Sequence, residues 1–72
     1  MQNDVEIISE YWSDDGRRKA EVVYGTASIA KTFMYVRFYE DNKMISCESY
    51  EGHSLQYYED AAENYVLGIK LV

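Results

Sequence analysis

The sequence has no proline, one cysteine, one histidine and four glycines in 72 residues. Each scarcity removes a class of structure or chemistry. The single thiol, Cys47, cannot close an internal disulfide, and with only His53 available it cannot build a zinc site. A reducing compartment is the expected setting. Cys47 reads as a small hydrophobe buried on a strand, since no CxxC arrangement or adjacent base would lower its pKa. Gly16, Gly25, Gly52 and Gly68 are isolated, which excludes a phosphate-cradling loop. Nucleophilic catalysis needs a nucleophile, a base and an orienting group. The one imidazole sits in a loop-like Gly52-His53 step, and no serine has a nucleophile-elbow context. No apolar run approaches the roughly 20 residues of a membrane span. The opening Met1-Gln2-Asn3-Asp4 lacks the basic and apolar regions of a secretory signal. The expectation is a cytoplasmic, non-enzymatic protein with no catalytic residues, no cofactor and no metal ion.

Positive charge is also sparse. Seven Lys and Arg stand against thirteen Asp and Glu, for a formal net charge of −6. Phosphate-backbone binding requires clustered cations, so direct nucleic-acid binding is not expected. The one basic run, Arg17-Arg18-Lys19, follows Asp14-Asp15 and is largely neutralised in place. Carboxylates gather on the polar side of the C-terminal segment at Glu59, Asp60 and Glu63. They read as a solvated face, or alternatively as an acidic surface that imitates nucleic acid and blocks a DNA- or RNA-binding enzyme.

Tyrosine is abundant, at 8 of 72 residues. It favours pleated, half-buried surface, and without proline no ladder is interrupted. Val5 to Trp12 alternates as a strand, with Val5, Ile7 and Tyr11 on one side. Ser13-Asp14-Asp15-Gly16 forms a turn in which Asp side chains bond the local backbone and Gly16 takes positive φ. A second strand runs from Lys19 to Gly25. Gly25 to Lys31 reads as a connection that Ile29 pins to the core. Thr32 to Glu40 alternates most clearly, Asp41-Asn42 turns the chain, and Met44 to Glu51 returns as a fourth strand. Ser54 is placed as an N-cap whose hydroxyl takes up a first-turn amide. From there Leu55, Tyr58, Ala62, Tyr65, Val66 and Ile69 recur at helical spacing over about fourteen residues, with Gly68 near the end. The chain is therefore expected to be a single α+β domain over residues 1–72. Its architecture is a four-stranded antiparallel β-meander packed on one face by a C-terminal α-helix.

A lone helix about 20 Å long covers only one face of such a sheet. The covered face is expected to carry Met34, Val36, Phe38, Ile45 and Cys47, against Leu55, Tyr58, Ala62, Val66 and Ile69. The other face carries Tyr35, Arg37 and Tyr39, with Phe33 at its edge and Tyr50 nearby; strand register decides whether Tyr11 and Tyr24 join it. Tyr and Arg dominate the energetic centres of protein interfaces. These six residues (Tyr11, Tyr24, Tyr35, Arg37, Tyr39 and Tyr50) are the candidate partner-binding set, for another protein or for a second copy. Cross-strand aromatic pairing that merely stiffens the sheet would produce the same pattern.

Two segments carry a resemblance. Glu10-Tyr11-Trp12-Ser13-Asp14-Asp15-Gly16-Arg17-Arg18-Lys19-Ala20 and Tyr58-Glu59-Asp60-Ala61-Ala62-Glu63-Asn64-Tyr65-Val66-Leu67-Gly68-Ile69 resemble stretches of small uncharacterised proteins of tailed phages that infect marine cyanobacteria. The resemblance implies an accessory protein made inside a bacterial cell, and by analogy one that binds a host protein; a minor structural protein whose exposed face packs against copies of itself is a separate alternative. It brings no catalytic residue and no cofactor.

Overall fold

The computed structural model describes residues 5–28 and 31–72; the expectation for Ile29 lies outside them. Four strands, β1 (Val5–Trp12), β2 (Arg18–Ser28), β3 (Lys31–Glu40) and β4 (Lys43–Glu48), precede one helix, α1 (Leu55–Val66). The strands form one antiparallel sheet in the order β1-β2-β3-β4, and the helix lies over β1, β2 and β3. The expected meander with a single helix on one face is the observed α+β architecture. β2 is longer than its pattern suggested and continues through most of the stretch read as a connection.

The turns have local causes. Between β1 and β2, Gly16 at φ +74° allows its N–H to reach the Ser13 carbonyl at 3.0 Å. Ser13 Oγ donates to Asp15 Oδ1 at 2.7 Å, and the same carboxylate oxygen accepts from the Arg17 N–H at 3.0 Å. Between β3 and β4, Asp41 and Asn42 both take positive φ, +53° and +69°. This two-residue loop is a type I′ turn, whose twist matches that of the flanking strands. The two turns touch. Arg17 grips Asp41 through Nε–Oδ1 at 3.0 Å and a terminal guanidinium nitrogen on Oδ2 at 3.1 Å, and the Asp41 N–H donates to the Arg17 carbonyl at 2.8 Å.

The core lies between the helix and one sheet face. Ala20, Val22, Val36 and Phe38 from the sheet meet Tyr58, Ala62, Tyr65 and Val66. The Tyr65 ring meets Phe38 edge-on at 5.0 Å, and its hydroxyl donates to the Tyr39 carbonyl at 2.8 Å. The Tyr58 hydroxyl accepts from the Tyr50 N–H at 2.9 Å. Both phenols thus bury a ring while pairing the oxygen, as buried polar groups require.

The helix ends differ from expectation in part. Ser54 occupies the N-cap position, but its side chain makes no capping bond; its carbonyl accepts the Tyr57 N–H at 3.0 Å. At the other end Gly68, φ +86°, closes a Schellman motif. Its N–H reaches the Tyr65 carbonyl at 3.1 Å, and the Ile69 N–H reaches the Asn64 carbonyl at 2.8 Å. That reversal carries Ile69 away from the sheet, where it is 70% exposed. Leu55, at the first helical position, is also exposed. Neither joins the core as the periodicity predicted.

Asn42 tolerates its positive φ, but glycine, with no Cβ, meets no penalty at that second turn position. Asn42→Gly is expected to raise unfolding stability by about 0.5–1 kcal/mol, read as a higher urea midpoint at unchanged slope.

Candidate functional site

Each edge strand contains a β-bulge, and the two bulges decide what the open face displays. In β1 the register steps from Ile7↔Val23 to Ser9↔Val22, leaving Ile8 unpaired. In β4 it steps from Tyr39↔Met44 to Phe38↔Ser46, leaving Ile45 unpaired. An extra residue moves everything beyond it to the opposite face. Tyr11 therefore turns toward the helix with Ala20, and Ser9 donates its hydroxyl to Glu59 at 2.7 Å. In β4 the residues meeting Phe38 and Val36 across the ladder are Ser46 and Glu48. Cys47 pairs with Arg37 on the open face and is exposed, and Ile45 is exposed too. The expectation that Ile45 and Cys47 lie in the core is thus corrected, because it assumed an unbroken β4.

Four cross-strand rows build the described open face, the one at its far end being Val5, Gly25 and Phe33. Trp12, Lys19, Tyr39 and Met44 form one, and Glu10, Glu21, Arg37 and Cys47 the next. Ile7, Val23 and Tyr35 form the third. Of the six candidate partner-binding residues, Tyr35, Arg37 and Tyr39 stand together here. Tyr24 pairs with Met34 on the helix side of the sheet and is exposed. Tyr11 packs against the core. Tyr50 lies beyond β4 against Tyr57 and Tyr58, and its hydroxyl donates to Glu48 at 2.5 Å. Burial, reinforced by that carboxylate, pushes the Tyr50 phenol well above its ordinary pKa. The periodicity did not place Trp12 on this face beside Tyr39; only the bulged register of β1 does.

At the centre of the open face is a buried carboxylate. Glu21 is 4% exposed although α1 lies on the opposite face of the sheet. Its Oε1 accepts from Arg37 through Nε at 2.9 Å and a terminal guanidinium nitrogen at 2.8 Å, and from the Tyr39 hydroxyl at 3.2 Å. Its Oε2 meets Lys19 Nζ at 3.0 Å. Lys19 lies in turn over the Trp12 and Tyr39 rings, at 5.1 and 5.2 Å from their centroids, within cation–π reach. Burial pushes the Glu21 carboxyl up, but the hydrogen bond from Lys19 and the charge of Arg37 outweigh it, so the group stays below its ordinary pKa. The bond to Glu21 holds Lys19 above its ordinary value.

The helix acids are placed differently. Glu59 is tied to Ser9, and Asp60 accepts from the Gln56 amide at 2.9 Å, while Asp60 and Glu63 face solvent. His53 stacks on the Tyr57 ring, centroids 4.0 Å apart, at the loop leading into α1. Among the described residues no group of three His, Cys, Asp or Glu is placed to hold a metal ion, and no helix is long and apolar enough to cross a membrane.

The ordinary pKa of a glutamate is about 4.3. A folded-state value below that means the Glu21 network contributes fully above the ordinary value and is lost as pH falls through the depressed one. Glu21→Gln should remove that acid-side loss from the stability–pH profile. At neutral pH it should cost about 2 kcal/mol, less than for a fully enclosed pair because Lys19 and Arg37 keep partial solvent contact. Urea titrations of both forms between acid and neutral pH measure both effects.

In comparisons with family models, with curated proteins and with solved structures, nothing matches this chain.

Proposed function

We propose that this chain is a small, non-enzymatic accessory protein of a tailed phage, acting in the cytoplasm of its bacterial host by binding a host protein through the open sheet face. The observation that carries the reading is the composition of that face. An uncovered sheet face normally alternates to polar residues, whereas this one presents Trp12, Tyr35, Tyr39 and Met44 around a fixed guanidinium. Trp12 and Met44 are 53% and 55% exposed, and Val23, between Ile7 and Tyr35, is fully buried beneath its neighbours. Aromatic residues, Met and Arg are the types enriched in interface cores. Glu21 holds Arg37 in place before any partner arrives, which lowers the ordering cost of association. The phage and host assignment rests on the resemblance of the two chain segments alone.

Affinity capture from a lysate of the cyanobacterial host, followed by mass spectrometry, tests the reading. Tyr35→Ser combined with Met44→Ser is expected to reduce recovery of the host protein at least tenfold, as loss of central interface residues does. Reversing charge at Asp60 and Glu63 is expected to leave recovery unchanged. The opposite pattern would place the binding surface on the helix and favour imitation of nucleic acid.

A further inference from the structure

The central rows of the open face are charge-balanced in a strongly acidic protein. Those rows hold four charged side chains, Lys19 and Arg37 against Glu10 and Glu21. These cancel, so the whole net charge of −6 belongs to the rest of the chain. Two copies approaching by other surfaces meet like charge; by this face they do not.

Shape and area point the same way. Met44 stands at the β4 edge beside an open recess of about 420 Å3 lined by Phe33, Tyr35, Arg37, Cys47 and Glu48, whose carboxylate is paired with Lys70. The exposed indole of Trp12 stands at the β1 edge of the same face, in the same cross-strand row as Met44. At an interstrand spacing of about 4.8 Å the two edges are about 14 Å apart. Rotating a second copy by half a turn about an axis parallel to the strands, between the two sheets, lays β1 of each over β4 of the other. The strands remain aligned, as in face-to-face sheet packing about 10 Å apart. Each Trp12 then lies over Met44 and the recess of the opposite copy, the reciprocal contact that a two-fold interface requires. A face about 20 Å by about 25 Å hides about 500 Å2 per copy, or about 1,000 Å2 in total, the lower bound for a specific interface.

We infer that the open sheet face is occupied by a second copy of this chain, in a two-fold sandwich with Trp12 of each copy seated over Met44 and beside Tyr39 of the other. This rests on the reading of that face as a binding surface and adds its resting occupant: a host partner would have to displace the second copy.

Sedimentation equilibrium of the pure protein from about 1 μM to about 1 mM tests the pairing. The mass should rise from 8.4 kDa toward twice that value. Emission from Trp12, the only tryptophan, should shift to shorter wavelength over the same range. Added salt should strengthen association by screening the like net charges. Trp12→Ala, with its fold checked by circular dichroism, should weaken association at least tenfold. Leu71→Ser, at an exposed apolar residue off this face, should not change it. Association that survives Trp12→Ala, or that is abolished by Leu71→Ser, overturns the sandwich. A monomer throughout, with host capture still sensitive to Tyr35→Ser and Met44→Ser, overturns the pairing and leaves the binding surface standing. A monomer whose host capture ignores those substitutions overturns both.

Discussion

One helix of twelve residues, about 18 Å long, has to serve a sheet of four strands, and it can shield only one side. Every other feature of the molecule adjusts to that shortage. On the helix side the sheet supplies small and branched residues, Ala20, Val22 and Val36, so that Phe38 and the rings of Tyr58 and Tyr65 can fill the gap. On the other side the described residues supply no second layer, and the surface is closed by long side chains of the sheet itself. Val23, on that side, is fully buried.

The Glu21 cluster is the polar counterpart of that closure. A carboxylate without water is costly unless it is paired and hydrogen-bonded. Here two cations and a phenol converge on it from β2 and β3. The aliphatic stems of Lys19 and Arg37 cover neighbouring surface while their heads are neutralised. The cluster thus fixes side chains that would otherwise sweep over the sheet. A rigid, neutral and aromatic surface results, framed by an acidic periphery.

Much of the fold was legible because β3 alternates without interruption and the C-terminal segment has clear helical spacing. Gly16, Gly68 and the Asp41-Asn42 pair mark turns whose backbone demands those residues fit. The site was legible in its central strand alone. Tyr35, Arg37 and Tyr39 alternate within one unbroken ladder, so their common face follows from period two. Tyr11 and Cys47 do not follow, because each lies beyond an extra residue, Ile8 or Ile45, that no side-chain pattern announces. A bulge is a property of the pairing between two strands rather than of either strand's sequence. The exposed Ile69 has a different cause, since the Gly68 reversal ends the helix before the apolar spacing does.

The same two bulges bear on how copies of the molecule can and cannot join. A flat outer strand invites another chain to extend the sheet by hydrogen bonding, which propagates into fibres. In this fold both outer strands are kinked by an unpaired residue, so neither end of the ladder offers a regular template. Growth along the hydrogen-bonding direction is thereby discouraged at both margins, and whatever assembly occurs is steered toward closed, countable complexes.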